Sequence, residues 1–311
     1  MLPLLLALLL GAPPSPAAPL RLTSKAFDQP VEIEVRDLPR ETSREIIQKA
    51  LAEVAEIERL TGATGSGIPA LNAAAGKGPQ PVDPRLFAAL TRARDFCVWS
   101  EGAHGPLGLN LYRLWAESSE PPPPERVEQA VGLAACDRLT LDPQKGTAAL
   151  AAGSGLDLRG FAEGHAVDRA VEILRKEGAA NAFVRIGAVQ RAIGAGPGGK
   201  GWTAELFQAP GQAEPPDRVY LRDRALAIAS QTLYVNQRTG RPAQGVLATA
   251  AVTDLAVDAQ GLASALLITG PREGQLRLGS LRPKPSARWF LGGGAGTPLL
   301  VDYRWSEVAR R

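Results

Sequence analysis

Two hydrophobic periods lie side by side near the start of the chain, and together they limit the folds open to it. Val31-Glu32-Ile33-Glu34-Val35 alternates with period two, the mark of a strand with one buried face. Directly after it, Ile46, Ile47, Ala50, Leu51, Val54, Ile57 and Leu60 follow helical spacing. They predict a helix from about Arg44 to Leu60, capped by Thr42 and Ser43. The rest of the chain keeps mixing the two periods. Helices are expected over Pro84 to Glu101, Glu125 to Leu133, Gly164 to Lys176 and Asp258 to Ile268, the last ended by Gly270-Pro271. Leu109 to Glu117 is compatible with another. Strands are expected at Arg138 to Leu141, Ala148 to Ala151, Ala182 to Ile186, Gln190 to Ile193, Trp202 to Gln208, Arg218 to Leu221, Ala225 to Ala229, Val246 to Thr253, Arg288 to Leu291 and Leu299 to Tyr303. Thr61 to Gly78 reads as an ordered loop. No regular strand-helix-strand alternation runs through this order. The expected class is therefore α+β, with mixed sheets and packed helices, rather than a doubly wound parallel sheet.

With 311 residues, 45% of them hydrophobic, the chain can bury a sizeable core. Leu2 to Leu10 is apolar apart from Pro3, too short to cross a bilayer, and it fits the core of a secretory signal peptide. Ser15-Pro16-Ala17 offers a small-x-small cleavage site. The expected organisation is a signal peptide over residues 1–17 and one domain over residues 18–311, exported and periplasmic or extracytoplasmic. No Cys near the cut suggests a lipid anchor, and no later apolar run is long enough to span a membrane.

Scarcity narrows the chemistry. There are only two histidines, His104 and His165, and two cysteines, Cys97 and Cys136. A Cys/His zinc site is nearly excluded. The two cysteines read equally as a disulfide of an exported protein or as two small buried hydrophobes. A net charge of +3, with no basic run carrying aromatics, gives no sign of nucleic-acid binding. Carboxylates, hydroxyls and backbone are left to carry any chemistry.

The densest local pattern is Asp157-Leu158-Arg159-Gly160-Phe161-Ala162-Glu163-Gly164-His165-Ala166-Val167-Asp168. Acidic groups and glycines gather there at the start of an expected helix, whose free N–H groups favour a phosphate. A plainer reading makes Asp157 a turn residue, Glu163 a complement to the helix dipole and Asp168 a surface charge. On the later helix, Gln260 and Ser264 share a face. As neutral oxygens they would hold Mg²⁺ weakly, and taken alone they read better as a polar stripe on a packed helix.

Taken in order, five segments resemble the FAD:protein FMN transferases, the ApbE-like flavin transferases. Glu56-Ile57-Glu58-Arg59-Leu60 with Ser66-Gly67-Ile68-Pro69-Ala70-Leu71-Asn72 is similar to the family's first helix and its Ser-x-Ile/Leu-x-x-Leu-Asn loop. Gly102-Ala103-His104-Gly105 resembles its Gly-Ala-Phe-Asp turn. Asp157 to Asp168 resembles its Asp-Leu-Gly-Gly-x-Ala-Lys/Glu-Gly-Tyr-Ala-x-Asp signature. Arg238-Thr239-Gly240-Arg241-Pro242 resembles the end of its His-Ile-x-Asp-Pro-x-Thr-Gly-x-Pro stretch, and Ala259 to Leu266 its Ala-Asp-Ala-Leu-Ala-Thr-Ala-Leu helix. The resemblance implies the ApbE-like fold and a bound FAD with Mg²⁺. The implied reaction cleaves the FAD pyrophosphate, releases AMP and places FMN on a Thr or Ser of an exported redox protein. By position it implies that Asp157 and Glu163 contact FAD, that Ala103, His104 and Gly105 line the flavin and that Val235 lies beside it. It implies a metal site of the Gly160 carbonyl, Gln260 and Ser264. Thr61-Gly62-Ala63-Thr64 also resembles the sequence on which such enzymes place FMN.

Several positions depart from the pattern. Gln260 stands where the family has its metal-binding Asp, and Ser264 where it has Thr. The His-Ile-x-Asp-Pro stretch reads Leu233-Tyr234-Val235-Asn236-Gln237. Gly105 replaces the Asp of the turn, Gly187-Ala188-Val189 stands for Gly-Gly-Asp, and Phe27-Asp28-Gln29 stands for Met-Gly-Thr. Asp258 offers a carboxylate close to Gln260 in sequence, poorly aimed for the same role. These losses point to a second expectation, a catalytically degenerate homologue that binds a flavin or a partner.

Overall fold

A computed structural model describes residues 18–117, 120–211, 215–230, 234–292 and 297–309. The expected signal peptide and Leu233 lie outside the described residues. The architecture is built on an eight-stranded sheet with strand order β1-β2-β6-β7-β10-β13-β14-β15. Its strands are β1 (Leu20–Ala26), β2 (Gln29–Val35), β6 (Ala182–Ile186), β7 (Val189–Ile193), β10 (Ala225–Ser230), β13 (Val246–Thr253), β14 (Ser286–Leu291) and β15 (Leu299–Tyr303). Every neighbouring pair in it is antiparallel. The class is α+β, as the mixed periods predict.

Period-two alternation assigns the two faces of this sheet. Ala225, Ala227 and Ala229 of β10 face one core, and Leu226 faces the other. On β14, Ala287 and Trp289 face the first core and Phe290 the second. Helices α1 (Arg40–Thr61), α6 (Ala162–Lys176) and α7 (Ala256–Leu278) cover the first face. The alanines of β10 let α7 approach closely. The second face is closed by the ribbon of β8 (Trp202–Glu205) and β9 (Arg218–Leu221), with Phe183, Trp202 and Trp305 in its core. The remaining strands are β3 (Gln80–Pro81), β4 (Leu139–Asp142) and β5 (Thr147–Leu150) in one small sheet, and the pair β11 (Val235–Asn236) and β12 (Arg241–Pro242).

The predicted elements largely form, with physical reasons where they differ. α1 begins at Arg40, not Arg44. Pro39 sets the extended entry, and Ser43 does not cap: its hydroxyl donates to the Leu38 carbonyl and the side chain is buried. The expected loop after α1 contains a helix, α2 (Gly67–Ala73), which buries Ile68 and Leu71. Its small-residue composition hid it. α3 (Pro84–Trp99) starts on an Asp83 cap, whose carboxylate accepts from the Arg85 N–H at 2.8 Å. α4 (Leu109–Ala116) and α5 (Pro124–Gly132) follow, and α8 (Ser306–Ala309) ends the described chain. Strand β1, polar along most of its length, escaped the pattern. In α7, Gly270 breaks the helical path with φ 71°, but the chain turns helical again as far as Leu278 instead of ending.

Asp168 fixes the two helices that frame the site. It is not a surface charge: its carboxylate is buried and accepts from Arg191 Nη1 at 2.6 Å. It also accepts from the Ala256 and Val257 N–H groups at 2.8 and 2.9 Å. It thus caps α7 from α6. Burial pushes its pKa up to about 6, against the opposing pull of Arg191 and those N–H donors. Gly164 permits the close crossing, since a Cβ there would lie 2.6 Å from the Ala256 carbonyl oxygen.

Candidate active site

The start of α6 and the middle of α7 face each other across a cavity of about 420 Å³. α6 forms because Val167, Ala170, Val171 and Leu174 share one buried face, with Glu163 in its first turn and Arg175 and Lys176 in its last. α7 is buried almost all round from Ala256 to Leu267. Of the three polar residues there, Gln260 and Ser264 open onto the cavity. The remaining walls come from the β6–β7 turn at Gly187 and Ala188, the end of β10 through Ser230, Tyr234, and Gln29 at the start of β2.

The structure brings Gly160, Glu163, Gln260 and Ser264 to one cavity. Gln260 joins the two helices. Its Nε2 donates to Glu163 Oε2 at 2.6 Å, and its Oε1 accepts from the Gly164 N–H at 2.7 Å. Ser264 donates to the Tyr234 hydroxyl at 3.2 Å. Burial pushes that phenol up to about 12, so it stays protonated. Gly160 has φ +84°, and a Cβ there would come within 2.7 Å of Ser264 Oγ and 2.8 Å of His104 Nε2. A side chain at this position would fill the space between the loop and α7.

Asp157 stands beside the cavity. One of its oxygens accepts from the Arg159 N–H at 2.7 Å, closing a tight turn, as the plainer reading of that residue expects. Its own N–H donates to the Pro106 carbonyl, which ties this loop to the turn carrying Ala103, His104 and Gly105. Ala103 and His104 are fully buried, and they sit behind Gly160 rather than on the cavity lining. The His104 ring stacks on Phe161 with centroids 4.8 Å apart, and neither ring nitrogen has a hydrogen-bond partner among the described residues. Burial pushes its pKa down to about 3, so it is neutral. Val235 is buried in β11, paired with Pro242. Asp258 does not stand in for Gln260: it pairs with Arg92 on a separate cleft. Cys97 and Cys136 form a disulfide. In the acceptor-like segment, Thr61 is buried with its hydroxyl on the Ile57 carbonyl, and Thr64 is exposed away from the cavity lining.

Two residues went unmarked in the sequence. Gln237 is buried, its N–H donating to the Ala103 carbonyl at 3.0 Å and its Nε2 to the Gly105 carbonyl at 2.8 Å. No local pattern signals such a long-range clamp. Arg159 lines the cavity and lies over the Tyr112 ring at 4.2 Å. Its signal was present, since it stands at the third position of a signature that has Gly there.

Magnesium takes oxygen ligands in near-octahedral geometry, usually with carboxylates among them. The residues here do not fit it. The Gln260 oxygen is already committed to a backbone donor, Ser264 is neutral, and Glu163 is bonded to an amide. Among the described residues no three His, Cys, Asp or Glu side chains gather in a way that could hold a metal ion.

Solved structures share this fold. A flavin transferase ApbE from Vibrio cholerae superposes with a TM-score of 0.80 at 19% identity, over 94% of this chain and all of that one. The ApbE protein of Thermotoga maritima gives 0.82 at 21% identity, with the same coverage. The apo flavinyl transferase ApbE of Pseudomonas stutzeri gives 0.83 at 18%, over 96% of this chain and 99% of that one. In sequence the chain is 26% identical over 280 residues to an FAD:protein FMN transferase of Rhodobacter capsulatus, covering 83% of this chain and 53% of that protein. It is 34% identical over 140 residues to one of Treponema pallidum, covering 42% and 38%. The chain thus spans about half or less of the length of these relatives. The model of the ApbE family matches residues 27–285, and the chain belongs to the ApbE family.

Proposed function

We propose that this chain binds FAD in the cavity between α6 and α7 but does not transfer FMN by the magnesium-dependent route. The carrying observation is Gln260, whose amide is held by both Glu163 and the Gly164 N–H. An amide in that position spans the two helices as a neutral bridge and offers a divalent ion no anionic oxygen of its own. Binding is supported by a cavity in the size range of small-molecule sites and by the family, whose relatives are named for FAD. On this reading the protein is exported and binds a flavin, or a partner through it. The Cys97–Cys136 disulfide supports an oxidising compartment.

The competing reading is an active FAD:protein FMN transferase acting on a Thr or Ser of an exported flavoprotein. One observation favours it: Gly160, Glu163 and Ser264 do line one cavity, with Asp157 at its edge. Purified protein incubated with FAD, Mg²⁺ and an acceptor domain separates the two. FAD binding without AMP release supports our reading. AMP release that is lost in Asp157→Ala overturns it.

A further inference from the structure

We propose that Arg159 supplies, as part of the protein, the positive charge that meets the phosphates of the bound flavin nucleotide, so that recognition needs no metal. This rests on the flavin-binding reading above and goes beyond it in naming the recognising group. A flavin dinucleotide brings an anionic pyrophosphate, and burying it without a counter-charge is costly. Arg159 and Glu163 carry the formal charges among the described residues lining the cavity. Glu163 is tied to the Gln260 amide, so Arg159 is the cation at hand.

Its placement suits a phosphate. The Asp157 turn fixes its backbone, and the guanidinium rests on the Tyr112 ring at 4.2 Å. The Asp157 carboxylate lies 3.5 Å from Nη2 on the side of the turn. The side chain is 38% exposed and half-buried along the cavity edge. A planar guanidinium can give two parallel hydrogen bonds to one phosphate. The first turn of the fifteen-residue helix α6 follows directly, adding the positive end of its dipole on the same side. Where Gln260 replaces a charged ligand on α7, Arg159 places a charge on the facing loop.

The test measures binding of FAD, FMN and riboflavin by flavin fluorescence, in EDTA and in Mg²⁺, for wild type, Arg159→Gln and Arg159→Lys. Wild-type affinity for FAD should be the same in both buffers and should weaken with added salt. Arg159→Gln should lose roughly ten- to a hundredfold for FAD and FMN. Its affinity for riboflavin, which has no phosphate, should be unchanged, and this also shows that the variant folds. Arg159→Lys should recover part of the loss. Unaltered FAD affinity in Arg159→Gln, equal losses for FAD and riboflavin, or wild-type binding that needs Mg²⁺ would overturn the proposal alone. Failure of the wild type to bind any of the three flavins would instead overturn the flavin-binding reading beneath it.

Discussion

Gln237 holds Gly105 in place through a single side-chain hydrogen bond: its Nε2 donates to the Gly105 carbonyl at 2.8 Å, with both residues buried. Because its backbone N–H also grips the Ala103 carbonyl, one residue secures both ends of the turn that carries His104. Gln237→Leu keeps similar bulk but leaves the Gly105 carbonyl buried without that donor. We expect a loss of about 1–3 kcal/mol in urea unfolding, with weaker flavin binding because the wall behind Gly160 loosens. An unchanged unfolding midpoint would show that the clamp does not bear on the turn.

Restoring a carboxylate at position 260 should create what the wild type lacks. Asp is too short to reach both Glu163 and the Gly164 N–H, so Gln260→Asp should be less stable by about 1–2 kcal/mol in EDTA. Magnesium should then raise its thermal midpoint, since a ligand that binds only the folded state stabilises it. The wild-type midpoint should not respond. A wild type that Mg²⁺ stabilises as much as the variant would contradict the role we give to Gln260.

His104 leaves a signature in acid. Its ring is fully buried, and desolvation holds its pKa near 3, below the ordinary 6.5. A folded value below the unfolded one means that its contribution is complete above pH ~6.5 and is lost as pH falls from there toward ~3. Inside that window linkage predicts about 1.4 kcal/mol per pH unit. His104→Phe retains an aromatic ring against Phe161 and removes the proton site. The stability difference between variant and wild type, measured by denaturant unfolding, should therefore shift in favour of the variant by about that amount between roughly pH 6 and pH 5. A constant difference would mean that the ring is not held neutral.

The disulfide lies directly under the same turn. A Cβ on Gly105 would fall 2.8 Å from Cys97 Sγ, so the turn packs on the bond itself. Cys97 is buried in α3, while Cys136 is only half-buried. The bond closes a loop spanning a sequence separation of 39, for which chain entropy suggests about 4 kcal/mol. Reduction, or Cys136→Ser, should lower the urea midpoint accordingly and weaken flavin binding in parallel. Full affinity in the reduced protein would separate the turn from the bond.

Much of this fold could be read from local spacing. α1 and α6 announce themselves by one apolar face, and the β6–β7 hairpin by two short apolar runs around a glycine turn. β1 was hidden because its outward residues are charged or polar, and α2 because it is built of residues common in loops. The site was legible only where its residues lie close together in the sequence, as in Asp157 to Asp168. Asp168 looked like a surface charge because its partners, Arg191 and the start of α7, are remote in sequence. The role of Gln237 has no local trace for the same reason, while Arg159 stands in plain view at the third position of the Asp157 to Asp168 pattern.

The antiparallel sheet also governs when the cavity can exist. Strand β2, which carries Gln29, pairs with β6, so Val31 must wait for Ile186, and the facing wall on α7 comes later still. During synthesis β2 emerges long before its second neighbour β6, and closing such a long loop is slow. Gln29, Arg159, Ala188 and Gln260 become neighbours only once the chain has been made as far as α7. Any product that stops short of α7 would be blind to flavin however well its early helices form. If the chain binds flavin as proposed, flavin capture would therefore report that it has been made and folded through α7.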